Sequence, residues 1–410
     1  MSTAAPTFLS LTDRQFIRAH LTDDVRALLL RAHPPGVDAK KVVAQITARQ
    51  KAREKLPAWY ASDALIFPPA LSVEQASSEQ TARYKVSLVQ GGLLLDLTGG
   101  MGVDTWAFAG RVDQVVYVER NPELARLAAY NLPQLGATNV SVHTGDGLAL
   151  LTGTELLKPG EQADWLYLDP HRRDEQGGKV VRLDACEPDL SNPATISALL
   201  TRARHILVKT SPLLDLEATV RQLAGTVTTV HIVAVGGEVK EILFVMSQEP
   251  TALDTVQVRA VNLLAGRVDC LDFGWNEERT ANVTFGDPQR YVYEPNAALL
   301  KAGAFRLTAS RYGLTKLAPN SHLYTSDDLR THFPGRIFAV RAVIKPDAKL
   351  LKKEVPEGKA NLTVRNFPQT VAALRKQLNL REGGAVYILA TTLLNGDKRL
   401  LITDKVDSSR

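Results

Sequence analysis

The sequence predicts an α/β protein. A Rossmann-like parallel sheet with a terminal antiparallel hairpin is preceded by a helical region and followed by two small α+β modules. Three observations carry this. Five short apolar runs, GLLLDL, QVVYVER, VSVHTGD, DWLYLDP and HILVKTS, are separated by helix-length spacers, the pattern of βαβ units around a parallel sheet. TVHIVAV and EILFVMS then follow across Gly236-Gly237, a two-residue hairpin link expected at the sheet edge. Ahead of all of them, apolar residues recur at helical spacing.

In chain order, residues 1–85 are the helical region. LTDDVRALLLRAH has a cap at Thr22-Asp23, VDAKKVVAQITARQKAREKL ends before Pro57, and Ser77-Ser78 precede a helix entered at Glu79. Residues 86–249 hold the sheet. Residues 250–330 form the first small module, with VQVRAVNLL and RTANVTFG as strands and NAALLKAGAFRLTASRYG as one helix. Within it, Glu294-Pro295-Asn296 is a helix start whose acid either complements the helix dipole or serves the function directly. Residues 331–410 supply a strand, a basic loop, the helix TVAALRKQLNL and a hairpin around Asn395-Gly396.

Composition narrows the function classes. Two cysteines, Cys186 and Cys270, cannot build a disulfide framework, and no CxxC spacing suggests metal. Both thiols are expected as packed apolar residues in a reducing compartment. No apolar run approaches the roughly 18 residues that span a bilayer, so no membrane is expected. The start MSTAAPTFLSLTDRQ lacks the order of a signal peptide, and the expected location is cytoplasmic. Charge is uneven: residues 336–405 carry 14 Lys/Arg against 6 Asp/Glu, a net +8, leaving −3 for the rest of a +5 chain. A basic terminal module points to a polyanion.

The first strand runs into DLTGGMGVDT, so Asp96, Thr98, Gly99, Gly100 and Gly102 form a small-residue loop. Such a loop turns tightly and exposes main chain to a ligand, at the strand end where open α/β sheets bind. A dinucleotide fingerprint needs Gly or Ala at position 105, where Thr105 stands. The second strand ends on Glu119, placed to accept from both hydroxyls of a ribose. The third is followed by Asp146 and Gly147, where the acid can accept from an adenine amine. Together these residues make a nucleoside-shaped set. The fourth strand ends on Asp169-Pro170, followed by His171, Arg172 and Arg173.

This constellation resembles the class I S-adenosylmethionine-dependent methyltransferases, whose fourth strand often ends in Asp-Pro-Pro-aromatic. The resemblance implies S-adenosyl-L-methionine as cofactor. It also implies that Asp169 and the Pro170 region hold a target nitrogen in line with the sulfonium methyl. Here the second proline and the aromatic are missing, and His171 stands as a proton relay or as a residue that merely packs or faces solvent. Enzymes that attack a pyrimidine carbon need a cysteine after the fifth strand; this chain has Lys209-Thr210-Ser211-Pro212. KLPAWY, SSEQTARYK, KTSPLLD and YEPNAALLKAGAF extend the resemblance to a bacterial methyltransferase family with a ferredoxin-like insert, matched to 250–330, and a THUMP-like C-terminal domain. That kinship implies an RNA substrate, tRNA or rRNA, methylated on a base nitrogen, with guanine favoured.

Arg172 and Arg173 are positioned to grip a phosphate or to pair with nearby acids, and DEQGGKVVRLD behind them reads as a loop able to close over substrate. In the tail Lys345, Lys349, Lys352 and Lys353 cluster with Lys359 and Arg365, a phosphate-contacting set with few aromatics. Two other readings stay open: methylation of a small molecule or protein, and an RNA-binding protein that keeps the cofactor pocket without turnover.

Overall fold

The computed structural model describes residues 9–172, 183–223 and 225–406. The chain forms two compact units, residues 1–228 with 243–251 and residues 229–242 with 252–410.

The first unit opens with helices. Asp38 caps Ala39–Lys55, accepting from the Lys41 amide at 3.2 Å, and Pro57 occupies the first position of the next helix, where a missing N–H costs little. Val42, Val43 and Ile46 pack on Phe16, Ile17 and Leu28, while Ala48 and Ala52 face Trp59 and Phe67. Val25–Leu30 is capped by Asp24, one residue beyond the expected pair, because the Asp23 carboxylate is taken by His20 at 2.7 Å. Ser78 caps Glu79–Val86 as expected.

The sheet of this unit contains β1 (Leu93–Asp96), β2 (Gln114–Glu119), β3 (Val140–Thr144), β4 (Ala163–Leu168) and a fifth parallel strand, Ala203–Thr210. Their order is β3-β2-β1-β4-fifth, every neighbouring pair parallel. Leu94, Leu95, Val115 to Val118 and Leu166 to Leu168 are buried without alternation, as a sheet covered on both faces requires. Because the chain steps outward from β1 one way and from β4 the other, the carboxyl ends of β1 and β4 flank a crevice.

In the second unit, Gly236 and Gly237 both hold positive φ (61° and 82°) and turn the chain between Val227–Val235 and Glu238–Ser247, a glycine-dependent hairpin turn. The hairpin is not an edge. Gln257–Leu264 adds in parallel to Val227–Val235, and Arg267–Gly274 adds antiparallel beyond it. The stretch 250–330 is therefore distributed over two sheets, its first two strands here and Tyr291–Pro295 and Tyr324–Ser326 in the other. RTANVTFG is not a strand: Trp275–Thr280 is helical, and only a single bridge forms, at Phe285. Nor is NAALLKAGAFRLTASRYG one helix, because Gly303 takes φ +74° and ends Ala297–Ala302 before Phe305–Tyr312 begins.

The second sheet runs in the order Thr315–Lys316, Tyr324–Ser326, Tyr291–Pro295, Gly335–Ile344, Lys398–Val406, Val386–Thr392, Asn361–Arg365. Ala348–Glu354 and Val371–Gln377 cover one face, with Leu351, Leu374 and Leu378 packed on Ile388, Ala390, Leu400 and Ile402. The basic loop expected in the tail is largely the first of these helices, capped by Asp347.

Candidate functional site

The ends of the five parallel strands are tied together by hydrogen bonds. Glu119 at the tip of β2 accepts through Oε2 from the Gly100 amide (2.8 Å) and through Oε1 from the Asn121 amide (2.8 Å). The Gly145 amide after β3 donates to the Glu119 carbonyl at 3.0 Å. The Asp169 amide after β4 donates to the Thr98 hydroxyl at 2.7 Å, across 71 positions of sequence. Lys209 near the end of the fifth strand donates to Asp169 Oδ2. Residues distant in the chain are thereby gathered at one sheet end.

Within the glycine loop each residue has a distinct reason. A Cβ on Gly99 would lie 2.1 Å from the Tyr117 ring, whose hydroxyl donates to the Gly100 carbonyl at 2.7 Å. Gly100 (φ +55°) and Gly102 (φ +88°) hold the left-handed backbone that other residues adopt at a cost. A Cβ on Gly147 would meet the Leu97 carbonyl at 2.4 Å, so this glycine lets the third strand's loop pass against the first. Thr98, Gly99 and Gly100 remain partly exposed.

Asp96 differs from its expected role. It is 1% exposed and braces the loop from beneath, accepting from the Thr98 amide (3.1 Å) and the Thr105 hydroxyl (2.5 Å). Burial, with the charges of Asp104 and Asp169 adding to it, pushes its carboxyl up to about 7 against those two hydrogen bonds. Asp146 caps Gly147–Thr152 through Oδ1 and pairs through Oδ2 with Arg120 at 3.3 Å; Arg120 also holds Glu187 at 2.8 Å. Glu119 and Asp146 keep solvent access, which acceptors for ribose and adenine require.

Asp169 is the acid best placed for chemistry. Its side chain is 36% exposed, and Oδ1 has no partner among the described residues. Pro170 is partly exposed and His171 exposed, the latter opening a two-residue ribbon against Cys186–Glu187. The side chain of Arg172, and Arg173 with most of the loop behind it, lie outside the described residues. Cys186 is buried as expected; Cys270 is exposed, because it faces outward on the edge strand Arg267–Gly274. In the tail Lys345, Lys349, Lys352 and Lys353 are all exposed, the last three at i, i+3 and i+4 on Ala348–Glu354, hence on one helix face.

Two features of the strand-tip region went unread in the sequence. Lys209 is one, although its pattern, a cation closing the apolar run HILVK, matches that of Asp169 closing WLYLD. The other lies under the loop. Asp104 accepts from the Ser77 and Tyr167 hydroxyls, each at 2.7 Å, and faces the fully buried Lys85 at 3.2 Å. Burial works to raise the Asp104 carboxyl, but the charges of Lys85 and Lys209 and the two hydroxyls outweigh it and hold it below the usual carboxylate range. Glu79 accepts from the Ala58 amide at 2.6 Å, and Ser78 accepts from the Thr81 amide at the start of its helix.

The residues fit S-adenosylmethionine: bare main chain at the loop, a carboxylate for a ribose at Glu119, and an acceptor at Asp146. Comparison with known proteins agrees. Residues 65–153 match the model of protein-L-isoaspartate(D-aspartate) O-methyltransferases, residues 291–334 that of a ferredoxin-like domain, and residues 335–405 that of a THUMP-like domain. The crystal structure of a candidate methyltransferase from Porphyromonas gingivalis W83 superposes with a TM-score of 0.85 at 36% identity, covering 97% of this chain and 98% of that one. An uncharacterised S-adenosylmethionine-dependent methyltransferase of Mycobacterium tuberculosis is 24% identical over 78% of this chain and 83% of its own. A protein-L-isoaspartate O-methyltransferase of Koribacter versatilis is 28% identical over 41% of this chain and 66% of its own.

Fold, strand-tip site and relatives define an S-adenosylmethionine-dependent methyltransferase. More narrowly, the chain belongs to the bacterial methyltransferase family that carries a ferredoxin-like module and a THUMP-like C-terminal domain. Among the described residues no helix is long and apolar enough to cross a membrane, and no three His, Cys, Asp or Glu group as a metal site.

Proposed function

We propose that the chain transfers a methyl group from S-adenosylmethionine to a base nitrogen of RNA, guanine favoured, in tRNA or rRNA of the cytoplasm. The observation that carries this is Asp169. Its Oδ2 is pinned by Lys209, while Oδ1 is left to accept from a target amine beside the glycine loop.

The cofactor supplies an electrophilic methyl on a sulfonium. Glu119, Asp146 and the loop from Thr98 to Gly102 hold it. Asp169 and the Pro170 carbonyl hold the amine in line, an orientation effect that reaches roughly 7–11 kcal/mol in well-arranged reactions. As positive charge grows on the nitrogen, the Asp169 carboxylate stabilises it, and the exposed His171 takes the released proton to solvent. A base within a duplex leaves its stack first. Arg172, Arg173 and the lysine face of Ala348–Glu354 bind RNA phosphates.

The THUMP-like match and the +8 tail support RNA as substrate. The family-model match to isoaspartate methyltransferases covers residues 65–153, which hold the glycine loop, Glu119 and Asp146, and so supports the cofactor half of the reading. Tritiated S-adenosylmethionine and RNA from cells lacking this gene test the reading. Label on a base nitrogen, lost in Asp169→Ala, is expected. Label that enters protein or a small molecule but never RNA overturns the substrate, and full-rate labelling by Asp169→Ala overturns the catalytic assignment.

A further inference from the structure

Glu294 lies in the strand Tyr291–Pro295, and Asn296, not the acid, caps the following helix. Its carboxylate, 2% exposed, accepts from two arginines. Arg336, its cross-strand neighbour, donates to Oε2 through Nε at 2.7 Å and through Nη2. Arg365 donates to Oε1 through Nε at 3.0 Å, and its Nη2 lies 2.9 Å from the same oxygen as an ion pair.

The second contact is the informative one. In the sheet order, Asn361–Arg365 stands four strands from Tyr291–Pro295. At about 4.8 Å per strand, a flat sheet would hold them roughly 19 Å apart. The sheet therefore curls until its terminal strand, Asn361–Arg365, comes back over Glu294, and it brings two guanidinium groups to one mouth.

One carboxylate neutralises one of these cations, so a full positive charge is in surplus. Both guanidinium groups turn their Nε/Nη2 edge to Glu294, and among the described residues neither Nη1 has an acceptor. The two side chains are 43% and 36% exposed, above a carboxylate that is covered. Thr363 accepts from Arg336 Nη2 at 3.4 Å, so its own O–H remains free to donate. The nearby His322 is half-buried, which lowers it, and Lys316 and Arg365 lower it further, to about 4. It is neutral at physiological pH and adds to no counter-charge there.

We propose that Arg336, Arg365 and Thr363, on the fixed floor of Glu294, form a binding site for a phosphate group. Two forks held side by side match the oxygens of a tetrahedral dianion or of a phosphodiester, and a hydroxyl donor completes the set. The site does not depend on methyl transfer, and it stands whether or not the strand-tip site turns over. The phosphate comes from a nucleic-acid strand or from a free anion, and the test separates the two.

The full chain is titrated against fluorescein-labelled oligouridylate at several salt concentrations, with and without millimolar inorganic phosphate, for wild type, Thr363→Val and Arg365→Met. Thr363→Val keeps side-chain shape and removes the hydroxyl, giving up among the described residues only the long 3.4 Å contact from Arg336, so it keeps the melting temperature and weakens oligonucleotide binding at least threefold. Arg365→Met lowers the slope of log K against log salt by about 0.7, the value for neutralising one phosphate fewer on a single strand. Inorganic phosphate that competes in wild type but not in Arg365→Met assigns the site to any phosphate. A slope change without such competition assigns it to the strand. Unchanged affinity and salt slope in a folded Thr363→Val and Arg365→Met overturn the proposal and leave a structural ion cluster. Should Arg365→Met fail to fold, unchanged binding by Thr363→Val alone overturns it.

Discussion

The ammonium of Lys209 rests on Oδ2 of Asp169 and joins the ends of the fourth and fifth parallel strands. The acid that replaces the expected Asp-Pro-Pro-aromatic arrangement is thus held by a cation from the neighbouring strand, where an aromatic would otherwise help confine the target. On the proposed mechanism, Lys209 fixes which carboxylate oxygen is offered to the target amine. Lys209→Met should leave S-adenosylhomocysteine affinity within twofold of wild type and slow single-turnover methyl transfer by about 100-fold, the order that one preorganised polar group supplies. Equal rates for the two proteins would show that Asp169 needs no such partner.

Gly99 has no room for a methyl group. A Cβ there sits 2.1 Å from the Tyr117 ring, which cannot retreat while its hydroxyl is bonded to the Gly100 carbonyl. Gly99→Ala should destabilise the protein by about 1–3 kcal/mol in urea denaturation and weaken cofactor binding. The double variant Gly99→Ala/Tyr117→Leu should recover part of the stability, since the clash is with the ring.

Asp96 holds its proton up to about pH 7 in the fold, against about 3.9 in an unfolded chain. Between those values the folded state binds more protons than the unfolded one, so this group's contribution to stability is complete below about pH 4 and is lost as pH rises through 7. Asp96→Asn removes that loss. Its stability relative to wild type should rise on going from about pH 4 to about pH 8, by an amount on the order of a few kcal/mol. A constant difference across that range would show that Asp96 is ionised throughout.

Lys85 is fully buried against Asp104. Lys85→Met leaves that carboxylate without its nearest cation and should cost about 3–5 kcal/mol, measured by chemical denaturation. Adding Asp104→Asn should return part of the loss. An undiminished stability in the single variant would show that the pair does not hold the helix to the loop.

The parallel strands were legible because each is an uninterrupted apolar run ending on a charged or small residue. Asp96, Glu119 and Asp169 each close such a run, and the structure brings the three strand ends together. Lys209 closes one too but went unread as a partner, since pairing between strand tips depends on strand order. The Ser77, Lys85, Asp104 and Tyr167 network was invisible for the same reason: its members come from separate elements, and each alone reads as a helix or strand residue. At Gly303 the apolar spacing continues unbroken, which is why one helix is expected there, while its positive φ ends the first helix. The curl that carries Arg365 to Glu294 is a property of the whole second sheet and leaves no local trace.

Calorimetric titration with S-adenosylhomocysteine, on wild type and on Glu119→Ala, tests the strand-tip site most directly. One-to-one binding in the micromolar range is expected, weakened about tenfold or more when the carboxylate that braces Gly100 and is proposed to accept from the ribose is removed. No binding to a folded wild-type protein, or equal binding by the folded variant, would contradict the assignment of the strand tips as the cofactor site.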